Sequence, residues 1–188
     1  MSAPLLIASK LLAGGLGLAP AIVRRAASVE LDWDTRQKSR FDTVDSSGRS
    51  IGVFLPRGRI VRGGDVLVAE DGSLVVVKAR AQPILVVTAG DDAGSALALL
   101  RAAYHLGNRH VPLEVRADRL QLEPDHVLAE MLARMGLRVD EGTGPFEPEA
   151  GAYDTASSGQ GRGHGLAHDH GAAHDRDHAH EHAHRTSR

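Results

Sequence analysis

The C-terminal end of the chain sets the strongest limit on what this sequence can fold into. Over the 35 residues from Asp154 to Arg188, Leu166 is the only large aliphatic side chain. A segment this poor in apolar surface gains too little from burial to offset the conformational entropy that ordering would remove. We therefore predict a disordered tail over residues 154–188, which leaves about 150 residues for one ordinary domain or two small ones.

Composition excludes several classes of function. The chain has 22 basic and 24 acidic residues, a formal net charge of −2, only 3% aromatic residues and no cysteine. Neither a basic footprint nor a set of stacking rings for nucleic acid is present, so no nucleic-acid partner is expected. Without cysteine, disulfides, zinc thiolate sites and thiol catalysis are excluded. Any metal must therefore be held by imidazole and oxygen ligands.

The N-terminal residues are apolar, but they lack the pattern of a signal peptide or a membrane span. Lys10 interrupts the apolar run, no basic residue precedes it, and three glycines between Leu12 and Leu18 would break a helix. We expect a short first strand at Leu5–Ile7, then a glycine-rich surface loop. The expected protein has no membrane segment and is cytoplasmic.

Residues 1–80 carry the short apolar runs and turn signals of a β-rich domain. Four runs predict strands, at Val29–Trp33, Ile51–Leu55, Val66–Ala69 and Leu74–Lys78. Between the last two runs, Asp71-Gly72 predicts a hairpin, because glycine accepts a positive φ angle without steric cost. We therefore predict a small β-rich N-terminal domain over residues 1–80.

From residue 81 the pattern changes to strands alternating with amphipathic helices. The predicted elements are strand Ile84–Thr88, helix Ser95–Leu106, strands Val111–Arg116 and Arg119–Leu122, helix Pro124–Met135 and strand Leu137–Asp140. Gly107-Asn108 and Gly136 are expected to end the two helices, and Pro124 to occupy the first position of the second. The order βαββαβ predicts a ferredoxin-like domain over residues 81–153, and an α+β fold class for the chain.

Histidines are the most specific signal in the tail. Eight of the eleven histidines in the chain fall in its last 25 residues, at His164, His168, His170, His174, His178, His180, His182 and His184. They alternate with small or acidic residues, so several imidazoles can reach one ion whether the chain is extended or helical. A solvated polar tail is the alternative interpretation. Imidazole without thiolate suits nickel, copper, zinc or cobalt, so we predict metal binding.

Catalysis needs an ion held in fixed geometry, which a disordered tail does not provide. Such a tail can instead collect ions and release them, particularly where acid protonates its imidazoles. No nucleophile elbow, phosphate loop or zinc-protease helix is present elsewhere in the chain. We therefore expect a metal carrier or buffer rather than an enzyme.

Three histidines lie outside the tail. His110 follows Gly107-Asn108-Arg109, where a helix gives way to a strand, and loop ends of this kind often carry binding residues. On the residues alone, a histidine that only satisfies local backbone carbonyls is the simpler interpretation of His110. A metal role would need a second subunit, the tail or another side chain. His105 is explained by the helix C-terminus, and His126 is either a neutral surface group or an auxiliary ligand.

Several motifs resemble those of a known family. They are the segment Tyr104–Leu113 with its Gly-Asn-Arg-His-x-Pro element, Asp125–Leu128, Pro145–Tyr153, Phe54–Gly58 and Gly64–Leu67. Together with the histidine-rich tail, they are similar to the UreE family of urease accessory proteins, which are nickel metallochaperones. The resemblance covers about residues 29–153 and the tail. It departs at Pro124, where some members have a histidine, and in the stretch Leu11–Leu18.

The resemblance implies a homodimer formed through the ferredoxin-like domains, with His110 of both subunits binding Ni(II) near the two-fold axis. It implies that the N-terminal domain docks partner proteins. It also implies that nickel passes to the urease accessory GTPase and then to apo-urease, with no reaction catalysed. We further expect tail histidines to join the His110 pair, and Zn(II) or Cu(II) to bind the same imidazoles in vitro.

A passive nickel or zinc storage protein is the competing hypothesis. In a store the tail would be the whole function and His110 would be structural. Substituting His110 while keeping the tail separates these two, because only a chaperone would lose its tight site and its productive role in urease activation.

Overall fold

The computed structural model describes residues 5–90 and 95–150 of the chain. The predicted disordered tail over residues 154–188, with its eight histidines, lies outside the described residues. None of the helices in the described ranges has the length and apolar character that crossing a membrane would require.

The first half of the chain forms a six-stranded mixed sheet. Its strands are β1 (Leu6–Leu12), β2 (Ala27–Leu31), β3 (Arg40–Val44), β4 (Ser50–Phe54), β5 (Val66–Ala69) and β6 (Leu74–Ala79). The strand order is β2-β6-β5-β1-β4-β3, with the pairs β1/β4 and β2/β6 parallel and the others antiparallel. A short 3-10 turn (Ala13–Gly15) and two short helices, α1 (Pro20–Arg25) and α2 (Trp33–Arg36), lie between strands.

Alternating side chains of these strands build a compact apolar core. Along β6, for example, Val75 and Val77 are fully buried while Lys78 is exposed, because successive side chains in a strand point to opposite faces. The buried cluster consists of Ala8, Val29, Leu31, Ile51, Val53, Leu55, Val61, Leu67, Ala69, Val75 and Val77. Most are β-branched or small, as expected for residues that pack on a pleated surface.

The predicted strands of the N-terminal half are all present, although several of their ends differ from the prediction. Val29–Trp33 was predicted as one strand, but β2 stops at Leu31 because Asp32 caps a helix that begins at Trp33. The Asp32 carboxylate accepts a hydrogen bond from the backbone N–H of Thr35 at 2.9 Å. The predicted hairpin is confirmed: β5 and β6 are antiparallel, and Gly72 has φ 81°.

Four elements of this half were not predicted, namely β3, α1, α2 and the 3-10 turn at Ala13–Gly15. Strand β3 alternates exposed and half-buried residues and lies at the sheet edge, so its sequence lacks a buried apolar run. Helix α1 lies in what was expected to be a glycine-rich loop, and it begins at Pro20, whose fixed φ suits a first helical position. The first strand is also longer than expected, extending to Leu12.

The second half forms the predicted ferredoxin-like arrangement. Its elements are β7 (Ala81–Ala89), α3 (Ser95–Gly107), β8 (Glu114–Val115), β9 (Arg119–Leu122), α4 (His126–Arg134) and β10 (Leu137–Pro145). The strand order is β10-β7-β9-β8, and every pair is antiparallel. The helices pack on this sheet through a cluster that includes Leu85 and Val87 of the sheet, Leu106 of α3 and Leu132 of α4.

Three predicted boundaries in this half are wrong. Strand β8 contains only Glu114–Val115 because Pro112 has no N–H to donate and the N–H of Val111 bonds instead to the carbonyl of Leu106. Pro124 does not begin α4; Asp125 is the N-cap, and its carboxylate accepts hydrogen bonds from the next helical turn at 2.8 and 3.0 Å.

The last strand, β10, runs beyond the predicted Asp140 to Pro145, pairing with β7 along its whole length.

The N-terminal sheet ends with β6 at Ala79, and the ferredoxin-like sheet begins with β7 at Ala81. The division into domains 1–80 and 81–153 stays a prediction.

Candidate metal centre

His110 lies at the C-terminal end of α3 and takes part in the hydrogen bonds that close it. Its backbone N–H donates to the carbonyl of Gly107 at 2.9 Å, and the N–H of Val111 donates to the carbonyl of Leu106 at 3.2 Å. These two bonds form a Schellman motif, which satisfies carbonyls that the helix itself leaves unpaired. The position of His110 is therefore set by the helix end rather than by a free loop.

The backbone of His110 has an uncommon conformation. Its φ is 57°, and among the described residues it is the only non-glycine with a positive φ. The residue at this position of a Schellman motif is usually glycine, because a side chain at positive φ crowds the backbone. We predicted that Gly107-Asn108 would end the helix, as residue types that tolerate a left-handed cap. The helix does end at Gly107, but neither residue has a positive φ, and His110 provides the left-handed residue instead.

The side chain of His110 is exposed, and it borders a cavity of about 450 Å³. The lining is largely apolar, and it comes from α2 and the loop before β5 in the first half, from α3, the loop after it and β8, and from the residues that follow β10. The lining residues are Trp33, Ile60, Ala103, Gly107, His110, Val111, Pro112, Leu113, Val115, Pro148, Glu149 and Ala150. His110 is the only histidine among them.

The other two described histidines do not join His110 in a cluster. His105 is exposed on the last turn of α3, and its ring lies edge-on to Tyr104 with 5.5 Å between the ring centroids. His126 is exposed at the first position of α4, directly after its N-cap. Within residues 5–90 and 95–150, no group of three or more histidine, aspartate or glutamate side chains could hold a metal ion. Within the described residues, a single chain thus supplies too few ligands around His110 to form a complete metal site.

A stripe of large apolar side chains stays exposed on α3, the helix that ends at His110. Leu97 is 52% exposed, Leu100 68% and Tyr104 66%, and their spacing puts them on one helix face. Beside this α3 stripe, a cavity of about 470 Å³ is lined by Leu99, Leu100, Ala103, Val115 and residues around them. Ala103 and Val115 also line the cavity at His110, so the apolar surface continues to the candidate ligand.

Sequence reasoning missed the left-handed backbone of His110, although a local signal was available. An apolar residue just after a Schellman motif often packs on one in the last turn of the helix, and Leu106 and Val111 have that spacing. Both belong to the core of this half of the molecule. Sequence reasoning also missed the hydrogen bonds of the Glu147 carboxylate, because its partners Arg36 and Gly63 lie more than 80 positions away along the chain.

Comparison with known proteins agrees with this arrangement. The model for the C-terminal domain of the UreE urease accessory protein matches residues 82–184, and the model for its N-terminal domain matches residues 12–80. The chain belongs to the UreE family of urease accessory proteins. Within this UreE chain, the C-terminal match includes α3, His110 and every tail histidine.

Curated relatives of this UreE chain have the same description. Urease accessory protein UreE of Methylibium petroleiphilum is 68% identical over 154 residues, covering 82% of this chain and 71% of that protein. The UreE of Polaromonas naphthalenivorans is 60% identical over 85% of this chain and 74% of its own length. That of Albidiferax ferrireducens is 62% identical over 80% of this chain and 87% of its own length.

Proposed function

We propose that this chain is a dimeric nickel chaperone for urease maturation. His110 of both subunits and the tail histidines bind Ni(II), and the dimer donates the ion for assembly of the urease active site. The observation that carries this proposal is an exposed histidine held at positive φ, at the end of an apolar α3 stripe, in a chain of the UreE family. Nickel is the cargo, and no reaction is catalysed.

Dimerisation supplies what one chain lacks at His110. One imidazole does not hold a divalent transition metal firmly, and the described residues form no group of three or more ligands around it. The α3 stripe needs an apolar cover, which a second copy packed about a two-fold axis would provide. Because His110 ends the same helix, this packing brings the two imidazoles together.

The tail completes the ligand set in this proposal. Ala150, the last described residue, lines the cavity at His110, and His164 follows it 14 positions later. An extended chain spans about 3.3–3.6 Å per residue, so this length suffices to return to His110. The tail ligands are His164, His168, His170, His174, His178, His180, His182 and His184. His126 is an auxiliary ligand, and Zn(II) or Cu(II) competes for the same imidazoles in vitro.

The nickel leaves the chaperone by transfer to partner proteins. We assign those partners as the urease accessory GTPase and the apo-urease complex, with the N-terminal sheet as the docking domain. Support comes from the urease accessory description of the family and from the match of a separate N-terminal family domain over residues 12–80. We also assign a cytoplasmic location, because a chain without cysteine is compatible with a reducing compartment.

A nickel titration of His110→Ala tests the proposed site. In calorimetry, the full-length variant should show no tightest site and should keep the weaker tail sites. Its activation of urease in a reconstituted assay should also fall. His105→Ala is the matched control, because His105 is exposed on the same helix end and has no assigned role. If His110→Ala kept the tight site and the activation, the competing storage hypothesis would hold.

Deleting residues 154–188 tests the contribution of the tail. The deletion should lower the number of nickel ions bound per dimer and weaken the site at His110, because the local concentration of imidazole falls. Unchanged stoichiometry and affinity would contradict the role of the tail.

The oligomeric state tests the α3 stripe directly. Leu100→Glu should convert the dimer to a monomer in analytical ultracentrifugation and remove the tight nickel site along with it, because a buried unpaired charge opposes association. Val127→Glu is the matched control, since Val127 is a 60% exposed apolar residue on the other helix. Equal behaviour of the two variants would contradict an interface on α3.

A further inference from the structure

A short segment after the last strand connects the two sheets. We call Phe146–Ala150 the tail root, because the histidine-rich tail follows it. Phe146 is fully buried and packs in a cluster with Trp33 of α2 and Ile84 of β7. The tail root therefore contacts both halves of the described molecule.

Helix α2 and the loop before β5 hold the tail root through the carboxylate of Glu147. Its Oε1 accepts a hydrogen bond from Nη1 of Arg36 at 2.8 Å and one from the backbone N–H of Gly63 at 2.8 Å. The Arg36 side chain is completely buried, and its other donors reach the carbonyls of Leu31 and Phe146. A buried guanidinium without a carboxylate would be an uncompensated charge, so this contact resists breaking.

A second arginine and an indole ring strengthen the same attachment. Nη1 of Arg62 donates to the carbonyl of Pro148 and lies 3.6 Å from Oε2 of Glu147. The guanidinium groups of Arg36 and Arg62 lie 5.3 and 5.2 Å from the ring centroid of Trp33, within the range of cation–π attraction. The carboxylate of Glu147 thus sits at the centre of a fixed cationic and aromatic environment.

On its other side, the tail root holds the loop that begins at His110. The backbone N–H of Glu147 donates to Oε2 of Glu114 at 2.6 Å, and that of Glu149 donates to the carbonyl of Leu113 at 2.8 Å. Glu114 is only 3% exposed. The loop from His110 to Leu113 is thus fixed at its start by the Schellman motif and at its end by the tail root.

We infer that Glu147 is a positioning residue for the His110 site. It touches no metal itself; it holds the tail root, which fixes the loop after His110 and sets where the tail begins beside the cavity. This inference rests on the proposed function, since it assigns a role in nickel binding at His110.

Gly63 provides a way to disturb this contact without changing any charge. A Cβ atom on Gly63 would lie 2.7 Å from Oε1 of Glu147, closer than real Cβ contacts allow. The φ of Gly63 is outside the left-handed region, so alanine adds steric pressure on the carboxylate and no backbone strain. Gly142→Ala is the matched control, because its added Cβ would meet Val86 at an ordinary 3.5 Å.

The test is nickel calorimetry on the full-length Gly63→Ala, Gly142→Ala and Glu147→Gln variants. Gly63→Ala should bind nickel about tenfold more weakly at the tight site, as when groups that orient metal ligands are lost, with the tail sites unchanged. Gly142→Ala should match the unsubstituted protein. If both changes act through one contact, Gly63→Ala should add no further loss in a Glu147→Gln background.

Hydrogen exchange reports whether the attachment has loosened. In Gly63→Ala the amides of Glu147 and Glu149 should exchange faster, while those of β9 stay protected. A merely structural role would lower stability and leave nickel affinity alone, so an unchanged affinity of the tight site in Gly63→Ala would overturn the inference. Failure of the proposed function is distinguishable, because the unsubstituted protein would then show no His110-dependent nickel site.

Discussion

The two helices of the ferredoxin-like half are both followed by a residue of positive φ, but the residue types differ. After α4 the chain turns through Gly136, which has φ 80° and donates its N–H to the carbonyl of Ala133 at 3.0 Å. After α3 it turns through His110, with φ 57°. Glycine is the ordinary choice at such a position, because it has no Cβ to crowd the backbone.

The difference concerns what each turn presents: Gly136 carries no side chain, whereas His110 presents the imidazole of the proposed metal site. Among the residues that the structure describes, no atom would come within 4 Å of a Cβ on Gly136, so a side chain there would have no neighbour to pack against. At α3 the same backbone carries an exposed imidazole beside a cavity and an apolar stripe. A non-glycine residue at positive φ costs stability, so we interpret its presence at His110 as support for the proposed binding role.

The largest expected change in stability comes from placing a histidine in the positive-φ position after α4, where the chain now has Gly136. Gly136→His should lower the free energy of unfolding of the metal-free protein by about 1–2 kcal/mol, because it adds a side chain at positive φ where space is open. Urea unfolding at fixed protein concentration measures this. Gly136→Ala should show most of the same loss, whereas a negligible loss in both would mean that the backbone strain is unimportant here.

Removing the strain at α3 gives a smaller change of opposite sign. His110→Gly should raise the free energy of unfolding of the metal-free protein by about 0.5–1 kcal/mol, because glycine adopts positive φ freely. The greater freedom of glycine in the unfolded chain offsets part of the gain. The same urea experiment tests it, and a loss of stability would contradict the comparison.

The smallest expected change comes from asparagine, which tolerates positive φ better than most side chains. His110→Asn should alter the free energy of unfolding by only a few tenths of a kcal/mol, between the unsubstituted protein and His110→Gly. A chelator in all samples keeps bound metal from adding to the unsubstituted protein's stability. A gain larger than that of His110→Gly would mean that side-chain contacts, rather than φ, set the order.

Much of the fold was predictable because its periodic signals are local. The βαββαβ order follows from the continuous apolar run in β7 and from the helical spacing in α3 and α4, whose inner faces form the observed core. Strand β3 was not predictable in this way. It lies at the sheet edge, so its position depends on pairing with β4 rather than on a buried apolar run.

The candidate site was predictable only in part. The sequence motif located His110, but not its left-handed backbone, which comes from hydrogen bonds that close α3 against the core. The role of Glu147 was beyond sequence reasoning, since Arg36 lies 111 positions away along the chain. Contacts of this kind are made by tertiary packing and leave no periodic signal.

Nickel titration of His110→Gly tests the central claim most directly. This variant should be at least as stable as the unsubstituted protein and should nevertheless lose the tight nickel site. We expect calorimetry on the full-length variant to show no tight site while the tail sites remain, in a protein whose free energy of unfolding is equal to or higher than that of the unsubstituted protein. The claim would be contradicted if the variant kept the tight nickel site, or if it lost that site only because it no longer folds or dimerises.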